Sequence, residues 1–350
     1  MLRTAFREGV MGVCASILLG FMLVVSGLSA TAQSREQNDE VPEAFIVRYV
    51  ASFTGPGDLH WTLPPKAETA LRIIAGPPDT SPHDDTMKLP IAVVTDSHNR
   101  LLVADAGSMT VHVFDFTRRQ YSDFDVAKIG MRSIAGIAVD DRNRIYLTDP
   151  RQGRVFILNP QGKFVGYLQE QRANEAYFVA PTGIAIDHAG GYIYVCDRDR
   201  NMIIKLNRSG HVLRQFGVRG GGTGPGDFRL PIQIAISDGE LFVQDDGNQR
   251  IQRLSPEGKF LGQFHIADGV GLAVDRSKKI LVGEPTLHRI GVYRADGHLI
   301  KKISGPPPAG DSLDPSGLWL SDRCLYVAGK ANKRVDLFQL GNYSGSDCHL

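Results

Sequence analysis

Over 350 residues the 39 lysines and arginines nearly match the 38 aspartates and glutamates. The chain therefore lacks the basic excess with which nucleic-acid binders displace counterions from phosphates, and a nucleic-acid partner is not expected. A content of 42% hydrophobic and 22% charged residues excludes a chain too polar to form a core, and 38 glycines and 19 prolines suit a structure with many turns.

Arg3 and Arg7 precede an apolar run over residues 10–30, and small residues follow at Ala30-Thr31-Ala32. This is the pattern of a secretory signal cleaved after Ala32, so residues 1–32 read as a signal peptide and the expected location is secreted or periplasmic. The run is also long enough to span a bilayer, which leaves an uncleaved N-terminal anchor as the alternative and as the one expected route to a membrane. The bulky Val13 before Cys14 fits poorly with lipoprotein cleavage, where a small residue is required. Loss of the signal removes two arginines and one glutamate and leaves the remaining charges balanced. Residues 33–69 read as an extended segment that is polar over 33–41, with Phe45-Ile46-Val47-Arg48-Tyr49-Val50 a candidate extra edge strand.

Beyond residue 70 a unit recurs six times. Its first strand ends in an aspartate or a stand-in: Ile91-Ala92-Val93-Val94-Thr95-Asp96, Ile137-Ala138-Val139-Asp140, Ile184-Ala185-Ile186-Asp187, Ile234-Ala235-Ile236-Ser237, Leu272-Ala273-Val274-Asp275 and Leu318-Trp319-Leu320-Ser321. The ends are spaced 44, 47, 50, 38 and 46 residues apart, the period of a propeller blade of four short antiparallel strands. The second unit gives the grammar: strand a at 137–139, b at 144–148, c at 154–158 and d at 163–168. Asp140-Asp141-Arg142-Asn143 turns a into b, and Asn159-Pro160-Gln161-Gly162 turns c into d. The expected fold is an all-β, six-bladed propeller over residues 70–340, followed by a tail at 341–350.

Between b and c an acid-x-x-x-x-arginine spacing recurs as Asp149 with Arg154, Asp245 with Arg250 and Glu284 with Arg289. It is incomplete, because Asp105 faces Thr110, Asp197 faces Met202 and Gly329 faces Arg334. A ring of carboxylates around a pocket is the functional reading. The structural reading, which recurrence with every blade favours, is an acid that accepts from its own loop amides and pairs with the arginine opening the next strand.

The combination of Ile-Ala-Val-Asp, Ile-Tyr-Leu-Thr-Asp, Gly-Arg-Val-Phe and Asn-x-x-Gly resembles the NHL repeat family over roughly residues 89–340. The resemblance implies a six-bladed propeller. The residues from Ala44 to Val50, with Ser52-Phe53-Thr54 and Gly57-Asp58-Leu59 behind them, also resemble the lead-in of exported bacterial NHL-type propellers.

The sixth unit supplies strands at 317–320, 325–328 and 335–340 but no outer strand. Leu71-Arg72-Ile73-Ile74 stands where every other blade has its strand d, so it is expected to complete blade six and latch the two chain ends together. Three cysteines remain after signal removal. Cys196 lies inside a strand and reads as buried and inert, while Cys324 and Cys348 are candidates for a disulfide that pins the tail.

The d-to-a and b-to-c loops of a propeller emerge on one face, the default binding surface. The longest here are 75–90, 169–181, 217–231 and 304–315, and they offer His83, Asp84, Asp85, Tyr177, Phe178, Arg219, Asp227 and Arg229, with His265 and His288 expected on the same face. The glycines from Gly220 to Gly226 lack the Gly-Lys-Ser/Thr ending of a phosphate loop. No Gly-x-Ser-x-Gly, His-Glu-x-x-His or Cys-x-x-Cys occurs. The expectation is a non-catalytic exported module that binds a protein, peptide or glycan through its loop face, without a cofactor. The alternative is a propeller enzyme, resembling the regucalcin-type lactonases or the NHL-type peptide-amidating lyases, and it would require a divalent cation in the central channel.

Overall fold

The computed structural model describes residues 46–60, 86–168, 177–305, 312–341 and 348. Six four-stranded antiparallel sheets form the six blades. Blade one comprises Pro90–Thr95, Leu101–Asp105, Thr110–Asp115 and Gln120–Asp125, and blade two Gly136–Val139, Ile145–Asp149, Arg154–Leu158 and Phe164–Tyr167. Blade three contains Pro181–Asp187, Tyr192–Asp197, Met202–Asn207 and Val212–Phe216, and blade four Pro231–Ser237, Glu240–Asp245, Arg250–Leu254 and Phe260–His265. Blade five runs through Leu272–Val274, Ile280–Glu284, Arg289–Tyr293 and Leu299–Ser304, and blade six through Pro315–Ser321, Cys324–Gly329 and Arg334–Leu340.

The turns are built locally, which is why the repeat is so regular. Asp96 accepts the amides of His98 and Arg100, each at 2.9 Å, and Asp140 accepts those of Arg142 at 3.0 Å and Arg144 at 2.8 Å. Asn159 closes the c-to-d turn of blade two in the same manner, accepting from Gln161 at 3.1 Å and Lys163 at 2.9 Å, and Gly162 then takes φ 77°, which a side chain would resist. Each sheet packs both faces on its neighbours. Ala138, Tyr146 and Val155 of blade two, for example, meet Ile184, Ile193 and Val195 of blade three in one buried cluster.

Blade six closes differently from the sequence expectation. Its outer strand is Val47–Phe53, antiparallel to Arg334–Leu340, with Val47 opposite Leu340 and Phe53 opposite Val335. Residues 71–74, expected in that position, lie outside the described residues. The N-terminal strand presents an apolar face to the core: Ala51 and Phe53 are buried with Val335 and Leu337, and Phe53 packs on Phe116 of blade one at 5.0 Å between ring centroids. A bulge between Tyr49 and Ala51 breaks the strict alternation and bends the strand to follow its partner. Cys324 and Cys348 form a disulfide with a Cα–Cα distance of 5.7 Å across 24 residues, a loop whose closure is worth roughly 3 kcal/mol. Cys196 is a free, buried thiol, and burial pushes it well above its ordinary value.

Candidate functional site

In blades one to five the acid that ends strand b is engaged by donors of the adjoining loops or of strand c. Asp105 accepts the amides of Lys88 at 2.6 Å, Leu89 at 2.8 Å and Gly107 at 2.8 Å, with His112 Nε2 at 3.4 Å and Tyr121 Oη on the other ring nitrogen at 2.7 Å. Asp149 accepts from the Arg132 amide and the Ser133 hydroxyl, and Asp197 from Val179 and Ala180. Asp245 pairs with Arg250 at 2.7 Å, and Glu284 binds both Arg289 and the Tyr293 hydroxyl. Asp105, Asp149 and Asp197 thus tie their strands to loop amides, while Asp245 and Glu284 also bind strand-c side chains.

The arginine half of that pattern departs from expectation in blade two. Asp149 and Arg154 are register partners, yet the Arg154 guanidinium lies over the Tyr167 ring at 4.4 Å. Arg334, opposite Gly329, pairs instead with Asp336 of its own strand at 2.9 Å. In blade three, where Met202 holds the arginine's place, Arg200 reaches Asp197 from within the turn at 3.3 Å.

Burial pushes the Asp105 carboxyl up, but the bonds from His112 and the three amides outweigh it and hold the group well below the usual carboxylate range. For Asp197 burial wins over the amides and Arg200, and its pKa is raised. The two must affect stability in opposite senses. The depressed Asp105 stabilises the fold above its unfolded value, about 4, and that contribution fades as pH falls through this value toward the folded one. The contribution of Asp197 is present below its unfolded value and is lost as pH rises through the folded one. In urea titrations from pH 7 to pH 3, the stability gap between the parent and Asp105→Asn is therefore expected to narrow as acid is added. Asp197→Asn is expected to gain relative to the parent as pH rises.

Of the loop-face candidates, His83, Asp84 and Asp85 lie outside the described residues. Phe178 is corrected to a core residue, 3% exposed, because its ring joins the apolar cluster of Tyr146 and Val155 from blade two with Ile184 and Val195 from blade three. Tyr177 packs edge-on against it at 5.1 Å, carries Arg200 over its ring at 5.3 Å and accepts from Gln215 at 3.0 Å. Asp227 holds the glycine-rich loop, accepting from the Gly224 amide at 3.2 Å, while its carbonyl accepts from Arg250 at 2.8 Å. Arg219 and Arg229 are exposed. His265 ends an outer strand opposite Arg250, and His288 sits in the next blade's b-to-c turn with Nδ1 donating to the Leu313 carbonyl at 3.2 Å. Among the described residues no group of three or more His, Cys, Asp or Glu comes together as a metal site would require.

The same face leaves apolar side chains in solvent. Val179, Val218, Leu230 and Leu287, between 40% and 55% exposed, all stand on d-to-a or b-to-c loops. Leu230 is held in the left-handed region at φ 51°, its amide donating to Asn201 at 2.8 Å, so its outward pose is built into the backbone.

A second site lies on the axis, where the six a strands enclose a cavity of about 200 Å³. Counting back from the residue that ends each strand a gives its layers. One step back are Thr95, Val139, Ile186, Ile236, Val274 and Leu320; two steps back are Val94, Ala138, Ala185, Ala235, Ala273 and Trp319. Three steps back comes an aliphatic ring that includes Ile137, Ile184 and Leu318, and four steps back are Ala92, Gly136, Gly183, Gln233, Gly271 and Gly317. At this last layer neighbouring backbones nearly touch. A Cβ on Gly183 would lie 2.7 Å from Gln233 Cα, and one on Gly317 would lie 2.8 Å from Ala92 Cα and overlap the Ile91 carbonyl. Trp319 spans the closing seam, its Nε1 donating to Thr95 Oγ1 of blade one at 2.9 Å. Gln233 and His188 are the polar side chains of this lining. That donor set does not fit the divalent cation that a lactonase or lyase reading demands. The channel could have been found in the sequence, because the layers follow from the six strand ends.

No family model matches the chain. Its curated relatives include peptidyl-glycine alpha-amidating monooxygenase of Mus musculus, 28% identical over 134 residues, which are 35% of this chain and 14% of the mouse protein. NHL repeat-containing protein 3 of Homo sapiens is 30% identical over 133 residues, covering 35% of this chain and 37% of the human protein. The chain is a six-bladed β-propeller, similar over about a third of its length to an NHL repeat-containing protein. Thus the match spans well under half the length of either relative. Among solved structures, the propeller overlays XC5397 of Xanthomonas campestris, described as a gluconolactonase, with a TM-score of 0.55 and 16% identity over 85% of this chain and 100% of the other. Identity that low bears on fold alone.

Proposed function

We propose that this NHL-repeat propeller is an exported, non-catalytic binding module whose d-to-a and b-to-c loop face captures a protein, peptide or glycan. The observation that carries the reading is the makeup of that face. The strand-b acids are occupied by loop and strand-c donors, whereas Val179, Val218, Leu230 and Leu287 face solvent, Val218 and Leu230 next in the chain to the exposed Arg219 and Arg229. Exposed apolar anchors together with arginine are the composition of a recognition surface rather than of an acid–base site. Export is supported by the signal-like residues 1–32 and by the Cys324–Cys348 disulfide, which persists in an oxidising compartment.

The test compares the mature protein with two surface variants, Val179→Ser/Leu230→Ser and Arg219→Glu/Arg229→Glu, as baits for the exported fraction and on a glycan array. The expected result is one ligand held by the parent and lost at least tenfold by one or both variants, with melting temperatures unchanged. Equal binding by all three proteins would overturn the reading. So would one equivalent of a tightly held divalent metal in the purified protein together with a large fall in melting temperature on chelation, because that result belongs to the lactonase or lyase alternative.

A further inference from the structure

We propose that the rim on the c-to-d turn side, opposite the loop face, docks the propeller on an anionic lipid surface. This goes beyond the loop-face reading and does not depend on it. Among the described residues seven large apolar side chains are strongly exposed. Four of them stand on the loop face, and the other three, Val165, Leu213 and Leu261, at 60%, 50% and 41% exposure, occupy one position in the outer strands of blades two, three and four. A bulge marks that position each time. Phe164 pairs with Leu158 and Gly166 with Ile157, so Val165 has no partner across the ladder, and Leu213 and Leu261 are passed over in the same way. Ile300 of blade five, half-buried, repeats the arrangement between Leu299 and Lys301. The bulge does not itself force exposure: Val50, the bulged residue of blade six, packs on the core. Blade one has no bulge in its outer strand.

Placement and charge select the occupant. Side chains at one repeat position in adjacent blades share one height along the axis, so a flat surface meets them together. Single aliphatics a blade apart insert between headgroups, but they do not make the continuous patch that a protein interface requires. The bulges also spoil these edges as templates for strand addition, which disfavours an extended peptide. Two residues before each anchor stands an exposed lysine or histidine: Lys163, His211, Lys259 and His298. The outer hairpins 159–168, 207–216, 255–265 and 294–304 hold seven lysines and arginines against two acids, although the totals of the whole chain nearly cancel. Arg208 is paired with Asp141 and Arg294 with Asp296. Lys163, Lys259, Lys301 and Lys302 make no ion pair among the described residues and are open to headgroup phosphates. On the same side the a-to-b acids Asp96 and Asp140 are paired with Arg100 and Arg144, so they oppose an anionic surface weakly. Docked this way, the loop face points away from the lipid and stays open to a ligand.

The test is co-sedimentation of the mature protein with vesicles, either of phosphatidylcholine alone or of three parts phosphatidylcholine to one part phosphatidylglycerol. Binding to the mixed vesicles is expected to be at least tenfold tighter than to phosphatidylcholine alone, and to weaken as salt is added. The triple variant Val165→Ser/Leu213→Ser/Leu261→Ser should bind the mixed vesicles at least tenfold less tightly than the parent. Lys163→Glu/Lys259→Glu should lose at least as much, and it keeps the test decisive should the serine variant not fold. All five side chains are exposed, so melting temperatures should be unchanged. No binding to the mixed vesicles, equal binding by the folded variants, or binding indifferent to phosphatidylglycerol would overturn the proposal. So would variants that keep the vesicles but lose a captured protein, since the rim would then serve a protein partner.

Discussion

A chain that begins after Phe53 is expected to lose its folded monomer. Without Val47–Phe53, the strand Arg334–Leu340 becomes an open edge that carries Leu337 and Phe338, and an unpaired apolar edge is a template for association. The single substitution Phe53→Ala should keep the strand and still cost about 3–5 kcal/mol, because Phe53 is 2% exposed and its removal leaves a void beside Phe116, Val335 and Leu337. Urea unfolding would measure the substitution, and sedimentation velocity would detect the aggregates of the truncation. A truncated chain that remained monomeric and cooperative would mean that the ring does not depend on this strand. The comparison has weight because the closing pair joins residues nearly 300 apart in sequence, so its loss opens the ring rather than fraying an end.

The same strand marks the limit of what sequence could reveal. Blade count, strand order and turn chemistry were legible because they are local: an Asp or Asn placed two and four residues before the amides it accepts leaves a pattern in one dimension. The register across strands b and c was legible for the same reason, since Asp149 faces Arg154 and Asp245 faces Arg250 at fixed spacing. Closure was not. Leu71-Arg72-Ile73-Ile74 and Val47–Phe53 are both strand-like, and the choice between them rests on whether a side chain can reach Phe116 and Val335, which is a tertiary fact. Partner choice failed similarly. Arg154 prefers Tyr167, two strands outward from its register acid, because Asp149 is already saturated by Arg132, Ser133 and Gln152. The loop face was legible only in part: its exposed leucines and valines resemble core residues when read in sequence, and Phe178 resembled them and was one.

Replacing Arg250 by alanine is expected to cost about 3–5 kcal/mol, the usual consequence of removing one partner from a buried ion pair. Arg250 is 7% exposed and fully engaged. It donates to Asp245 Oδ2 at 2.7 Å, Gln263 Oε1 at 2.7 Å and the carbonyls of Thr223 at 2.9 Å, Gly224 at 3.0 Å and Asp227 at 2.8 Å. The planar fork makes these bonds together, so lysine, a point donor, should recover only a minor part of the loss. Three carbonyl acceptors from the 223–227 loop would be stranded at once, and amide hydrogen exchange across that loop should rise far more than in the sheets. Asp245 keeps the Arg229 amide at 2.6 Å and Asn248 at 2.8 Å, so the double variant Asp245→Asn/Arg250→Ala should recover part, but not all, of the stability. Full recovery would place the whole cost in the uncompensated carboxylate, whereas no recovery would place it in the loop carbonyls. The expected intermediate value assigns Arg250 both tasks, and under the proposed loop-face binding it predicts that Arg250→Ala also weakens that binding by loosening the loop that carries Arg229 and Leu230.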